Sequence, residues 1–535
     1  MSPIPTPHSP QHGRILSVRH SVFAVLGLCF VTVMVAIDQT VVGTALPTVV
    51  AELNGFKLYA WVATAYLLAS VVTVPVFGRL GDFYGRKPFV VASILVFVSG
   101  SILCGLADSM LHLVLARAVQ GIGAGMVLGT AFACIPDLFP DPHVRLRWQI
   151  LFSAAFGIAS GLGPTVGGLV TQYAGWRAVF FVNIPLSVAG LVLILRYLPW
   201  MRHRTDSRIR LDWQGALLIA LGFGCLQLFV ELLPRHGLSA LVAVLAVVCV
   251  GSLATLLWWE KRCPEPLIPL SMLRDRRIGQ LFVLSVFAGC LLFVLLFYVP
   301  LMLQGGFGMS PREAGLTITP LVVCITLGSI LNGRVVTRLR QPVLMLYAGF
   351  ILLALCIAGF VMTSRNTPGA LMALYLVLGG LGLGIVLPNL TVFGQQAAGQ
   401  TLLGIVTAML QSTRMIGGML GTALVGTLVT HFYVQGLHSS YPDAGLQPWG
   451  DALRDPQLLV NPIVQNEFVA RLSALGVDGR VLIEGARAAL VDALHWGLVA
   501  ALVVAAVAAL WVVRVPAVDL NSPAPSRGSQ DGNGA

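Results

Sequence analysis

The chain has 535 residues, of which 57% are hydrophobic and 10% charged, and its formal net charge is +11. A mean hydropathy of +0.86 excludes a water-soluble globular protein of this size and places the chain in a bilayer. The basic residues stand in short clusters between apolar runs, not along one folded face, which argues against nucleic acid as a partner.

Apolar runs of about 20 residues, each enough to cross roughly 30 Å of hydrocarbon as a helix, recur almost from end to end. Continuous blocks such as 88–107 and 240–259 exclude the short alternating segments of a β-barrel. The sequence therefore predicts an all-α polytopic membrane protein with fourteen spans. They fall at 21–47, 60–79, 88–107, 111–134, 149–171, 178–198, 213–233, 239–259, 279–303, 313–333, 343–362, 370–393, 403–429 and 490–513.

Residues 1–20 are Pro-rich and polar, lead into a long first span without a small-residue cleavage site, and read as a cytosolic tail. The first span places Asp38 inside an apolar helix. A carboxylate at that depth is costly to keep charged, so Asp38 is a candidate for exchanging protons or for facing a cationic substrate. A structural hydrogen-bonding role is the competing reading.

Between the second and third spans lies GRLGDFYGRK, with Gly78, Gly81 and Gly85 spaced for a tight turn and close helix approach. Asp82 stands among Arg79, Arg86 and Lys87, where it can pair with a cation and cap the next helix. The fourth span carries a second embedded charge, Arg117, followed by Gln120. An arginine stays protonated, so it cannot carry the proton itself, but it can alter a neighbour's proton affinity.

The fifth span, GIASGLGPTVGG, holds Gly157, Gly161, Gly163, Pro164, Gly167 and Gly168. That density would break a soluble helix, but in a membrane it lets backbones approach closely, with Pro164 adding a bend. Tyr66, Trp61 and Phe156 are aromatics that could line an apolar cavity. In the thirteenth span Gln411 and Arg414 add candidate polar groups to a cavity, either orienting substrate or bonding between helices. The segment 431–490 reads as a long external loop, and the tail after Pro516 as disordered.

Basic clusters in alternate loops, from Arg79, Arg86 and Lys87 to Arg334, Arg338 and Arg340, put both termini on the cytoplasmic side of a plasma membrane. Eight of the nine cysteines stand singly within spans and read as packing residues. LHLVLARAVQGIGAG in the fourth span is echoed by LYLVLGGLGLGIV in the twelfth, with Gly380 in the place of Arg117, and the fifth span is echoed in the thirteenth. This offset of eight spans describes two pseudo-symmetric six-helix bundles around a central cavity, 21–198 and 261–513, with two additional helices in 199–260 and a tail at 514–535.

GRLGDFYGRK resembles the signature loop of the major facilitator superfamily. The resemblance implies that Arg79, Asp82, Arg86 and Lys87 latch the bundles together on the cytosolic side in an outward-facing state. Asp38, Thr40, Ala45, Leu46 and Pro47 resemble the first-span motif of its fourteen-span drug:proton antiporter branch. Arg117, Gln120, Gly121 and Gly125 resemble the fourth-span motif, whose arginine is assigned to proton coupling. The glycine string of the fifth span is similar to the antiporter motif of exporters.

These resemblances imply proton-coupled efflux of small lipophilic or cationic compounds by alternating access. The competing transport reading is an exporter of one metabolite, siderophore or self-made antibiotic. No Walker-type loop, paired carboxylates or metal-spaced His/Cys cluster occurs, so neither ATP nor a cofactor is expected, and the chain does not read as an enzyme. The partners implied are the lipid bilayer, protons and a small-molecule substrate; a periplasmic adaptor protein is a further candidate.

Overall fold

In the computed structural model, the described residues are 18–139 apart from 54, then 148, 155, 159, 162–200, 212–236, 239–263, 272, 275–398, 403–441, 453, 456–459, 462–473 and 478–516. The helices are α1 (Val18–Leu53), α2 (Tyr59–Tyr84), α3 (Arg86–Gly105), α4 (Met110–Leu138), α5 (162–174), α6 (Trp176–Phe181) and α7 (Asn183–Tyr197). After them come α8 (Trp213–His236), α9 (Ala240–Glu260), α10 (Arg276–Leu301), α11 (Pro311–Val335), α12 (Leu344–Val361), α13 (Gly369–Ala398), α14 (Leu403–Ser440), α15 (Pro462–Ser473) and α16 (Gly479–Trp511). A π-turn, Met302–Gly306, continues α10.

Twelve helical segments among the described residues are long and apolar enough to cross a membrane, and Trp213–Phe229 is a shorter apolar helix. The count of fourteen is therefore met only in part. The expected fifth span falls largely outside the described residues, which keep only 155, 159 and its C-terminal part in α5. The tail expected to be disordered after Pro516 lies outside them too; of the tail bounds 514–535, only Arg514, which ends a 3-10 turn, and residues 515–516 are described.

Local chemistry sets the helix limits. Ser109, Ser239, Asp275 and Asp478 each accept a backbone N–H at the start of α4, α9, α10 and α16. Ser310 and Glu313 close a full capping box on α11, with proline at the first helical position. Gly85 and Gly175 take φ of 93° and 81° at the α2–α3 and α5–α6 corners, a region that disfavours any side chain with a Cβ.

The segment 431–490, expected as an external loop, departs from loop character. α14 runs on to Ser440, α16 begins at Gly479, and the described residues between them include the short helix α15. Tyr433 donates from its hydroxyl to Leu453 O at 2.7 Å, tying this segment down on the end of α14.

Two groups of helices repeat one packing pattern. In the first, α4 packs on α1, α2 and α3, and α7 packs on α1 and α3; in the second, α13 packs on α10, α11 and α12, and α16 packs on α10 and α12. Glycines make the corresponding contacts: a Cβ on Gly121 would collide with the Tyr66 carbonyl of α2, and one on Gly384 with the Ile325 carbonyl of α11. α8 seals the seam between the groups, touching both α2 and α14, while α9 packs on α8. The other side of α9 is exposed and apolar, with Leu241 at 58% and Val247 at 71%, as a lipid-facing helix requires.

Candidate functional site

Asp38 lies near the middle of α1, yet it points into the first bundle, away from the space between bundles. Asp38 is 2% exposed and Arg117 1%. Arg117 Nη1 donates to Asp38 Oδ2 at 2.8 Å, and Gln120 Nε2 and Asn183 Nδ2 donate to Oδ1 at 2.7 and 3.1 Å. A carboxylate so deep is tolerable only with such compensation.

The cluster extends one layer further. Arg117 Nη1 also donates to Gln120 Oε1 at 2.7 Å, and its guanidinium lies 4.2 Å from the centre of the Tyr66 ring. Ser101 accepts from Gln120 and Asn183 at 3.1 and 2.9 Å and donates to Phe180 O at 2.8 Å. Six helices, α1, α2, α3, α4, α6 and α7, thus meet through hydrogen bonds, α2 through Val62 O, which accepts from Arg117 Nε at 3.4 Å, as well as through the Tyr66 ring. Asn183 and Ser101 were not singled out as site residues; a lone Asn or Ser in a span gives no signal until its depth matches Asp38. Tyr66, a candidate cavity aromatic, instead packs on Arg117 within the bundle.

The same helix carries the contact between bundles. On α1, Thr40 and Thr44 face α5: a Cβ on Gly163 would come within 2.8 Å of Thr40 Cβ, and one on Gly167 within 2.8 Å of Val41 O. Gly43 abuts the Leu296 carbonyl of α10, and Gln304 Nε2 donates to Thr44 O at 2.7 Å. Gly168 meets Gly315 of α11 reciprocally, each added Cβ reaching the other's Cα at 3.2 and 3.1 Å. Pro164 O also faces Gly315, whereas Gly157 and Gly161 lie outside the described residues.

Further bonds join the bundles on that end. The hydroxyls of Thr165 and Thr319 hydrogen-bond, Tyr59 donates to Phe297 O at 2.8 Å, and Thr64 and Thr422 are 3.4 Å apart. All these contacts lie in the halves of the helices opposite the Gly78–Lys87 corner. The molecule is closed at that far end.

At the other end, Gly81 packs beside Arg86 and Thr130, Gly78 approaches Gly129, and Gly85 makes the turn. Lys87 Nζ donates to Leu195 O at 2.7 Å, capping α7 within its own bundle. The side chains of Arg79 and Asp82 lie outside the described ones. In this closed-at-the-far-end state, Lys87 does not bridge to the second bundle.

Arg414 and Gln411 sit on α14, half-buried, and Arg414 Nη2 donates to Gln411 Oε1. They are separate from the Asp38 cluster. Among the described residues no group of three or more His, Cys, Asp or Glu could hold a metal ion.

This architecture, paired helical bundles closed at one end with a buried ion pair inside one of them, defines a multi-pass membrane transporter. The family model described as Major Facilitator Superfamily matches residues 28–422, and the chain belongs to that superfamily. It is 30% identical to Multidrug resistance protein 3 of Bacillus subtilis (strain 168), over 78% of this chain and 81% of that one. It is 29% identical to Multidrug transporter protein MdtP of the same organism over 93% of each, and 26% identical to Multidrug efflux pump SdrM of Staphylococcus aureus (strain N315) over 76% and 90%. The solved structure of a bacterial homolog of the human lysosomal transporter Spinster, inward-facing and occupied, superposes with a TM-score of 0.61, covering 94% of this chain and 97% of that one at 17% identity. That likeness speaks for the fold alone.

Proposed function

We propose that the chain is a proton-coupled exporter of small lipophilic compounds, drugs among them, working by alternating access in the plasma membrane. In this reading fourteen spans form two six-helix bundles, 21–198 and 261–513, flanking two additional helices in 199–260, with both termini cytosolic. The Gly78–Lys87 end is then the cytosolic end, and the state described is closed to the outside. The multidrug names of the relatives support the cargo class, and the ion pair buried in one bundle supports the coupling.

The observation that carries the reading is Asp38, sealed against Arg117 on the helix that also closes the external side. Protonation of Asp38 cancels the carboxylate and leaves Arg117 with Gln120 Oε1, Val62 O and the Tyr66 ring. Breaking a buried pair in this way costs about 3–5 kcal/mol unless the surroundings rearrange. Asp38 and Gly43 lie five residues apart on α1, about 7.5 Å along its axis, so a shift that re-satisfies Arg117 displaces the contacts of Gly43 and Thr44 with the second bundle and that of Thr48, whose hydroxyl donates to Gln304 Oε1 at 3.3 Å. The proton thereby alters the stability of the external closure, which is the coupling an antiporter needs.

The test is purified protein in proteoliposomes with an imposed pH gradient and a panel of lipophilic drugs. Gradient-driven movement by the native chain, lost in Asp38→Asn while the variant stays monodisperse, is the expected outcome. Equal gradient-driven transport by Asp38→Asn would end the reading.

A further inference from the structure

We propose that Arg414 is an anion-binding group of the central cavity, and that the preferred cargo carries an oxyanion, such as a carboxylate or sulfonate, on an apolar body. This inference rests on the exporter reading and narrows its cargo class.

The embedded charges of the two bundles are not alike. In the first, Arg117 is matched by Asp38 and the pair is closed to solvent. In the second, no described carboxylate lies within ion-pair distance of Arg414, and its one side-chain hydrogen bond goes to the neutral amide of Gln411. A guanidinium has five N–H donors in a rigid fork, and the others make no bond to a described residue. A cation at membrane depth ordinarily finds an opposite charge or water. Among the described residues Arg414 has no counter-charge, and it is half-buried.

The position suits a ligand site. Thr422, eight residues along α14 toward the external end, meets Thr64 of the first bundle. Gln411 lies three turns below Thr422 on nearly the same face, given the period of 3.6 residues. The Arg414 head, held by Gln411, therefore lies farther along α14 from the closed end than the Thr64–Thr422 contact. The backbone beneath it is rigid: a Cβ on Gly289 of α10 would lie 2.7 Å from the Arg414 carbonyl carbon, and Ser285 donates to Leu410 O at 2.7 Å. A fixed backbone carrying an incompletely bonded fork is pre-organised for a planar, bidentate oxyanion. With Asp38 enclosed by Arg117, Gln120 and Asn183, Arg414 is the embedded charge that a bound anion, in place of a described carboxylate, would balance.

The experiment uses full-length protein and three membrane-impermeant fluorescent probes of similar apolar body: an aryl sulfonate, a quaternary ammonium and a neutral amide. Binding is read in detergent and pH-gradient-driven transport in proteoliposomes, for the native chain, Arg414→Gln and Arg414→Lys. The aryl sulfonate should bind the native chain at least tenfold more tightly than the ammonium probe, Arg414→Gln should abolish that preference, and Arg414→Lys should restore part of it. Monodisperse elution of both variants separates this from misfolding. Sulfonate binding unchanged in Arg414→Gln, or ammonium favoured by the native chain, overturns the inference while leaving export standing. Arg414-dependent sulfonate binding with no gradient-driven transport of any probe upholds the anion site and instead defeats the exporter reading.

Discussion

The two bundles share a packing scheme and differ in what they bury. Around α4 the first bundle encloses Asp38, Arg117, Gln120, Asn183 and Ser101 in one connected polar cluster. Around α13, the second has Gly380 packed against the Leu321 carbonyl where its sequence echo has Arg117. A buried polar pair on α13 is neutral and reciprocal: Asn389 and Asn332 of α11 bond at 3.0 and 2.9 Å. Since the second bundle reaches the same helix arrangement without the charges, the charges are not what builds the arrangement. Close glycine contacts and apolar packing do that in both, and the polar cluster is free to serve the transport cycle.

The strongest way to break this contrast is at Asp38. Asp38→Asn should lower pH-gradient-driven export on the order of 100-fold, the equivalent of about 3 kcal/mol of lost coupling, while exchange of substrate without a gradient persists. Parallel uptake assays in the two modes check it. An Asn332→Leu/Asn389→Leu double variant should leave gradient dependence intact, because no proton-carrying group is touched. Loss of coupling there would erase the asymmetry.

A second variant tests the closure between the bundles. Gly168→Val or Gly315→Val forces a side chain into a Gly–Gly crossing and should destabilise the closure between the bundles by about 1–3 kcal/mol. Disulfide formation between Thr64→Cys and Thr422→Cys reports it: rapid in the otherwise native chain, and slowed at least about fivefold with the valine present.

The shared scaffold predicts matched effects. Gly121→Ala and Gly384→Ala should each lower thermal stability by about 1–3 kcal/mol, since both oppose a carbonyl of the neighbouring helix. If only one is harmful, the repeat is one of composition and not of packing. The smallest effect is expected at Ser109→Ala, where loss of the α4 cap costs about 1 kcal/mol and leaves transport unchanged. Scanning calorimetry in detergent measures all three.

Much of this molecule is legible along the chain because a bilayer imposes local rules. Apolar length marks spans, and Ser109 and Ser310 cap helices close to the expected starts of the spans at 111 and 313. Embedded Asp38 and Arg117 stand out because hydrocarbon makes every charge conspicuous. The ends of α14 and α16 were less legible, since Tyr433 and its neighbours extend a helix past the bilayer by packing that composition does not record.

Partnership and direction belong to the tertiary structure. Asp38 binds groups 79 and 145 residues away, and a helical period states which residues share a face without stating what that face meets. That Asp38 turns inward to Arg117 and Asn183, that Gly168 crosses Gly315, and that Arg414 meets no carboxylate among the described residues all depend on how helices from distant parts of the chain pack. Span and charge are written in the residue order because solvation acts on each segment alone; pairing is not, because it is decided by the assembled set.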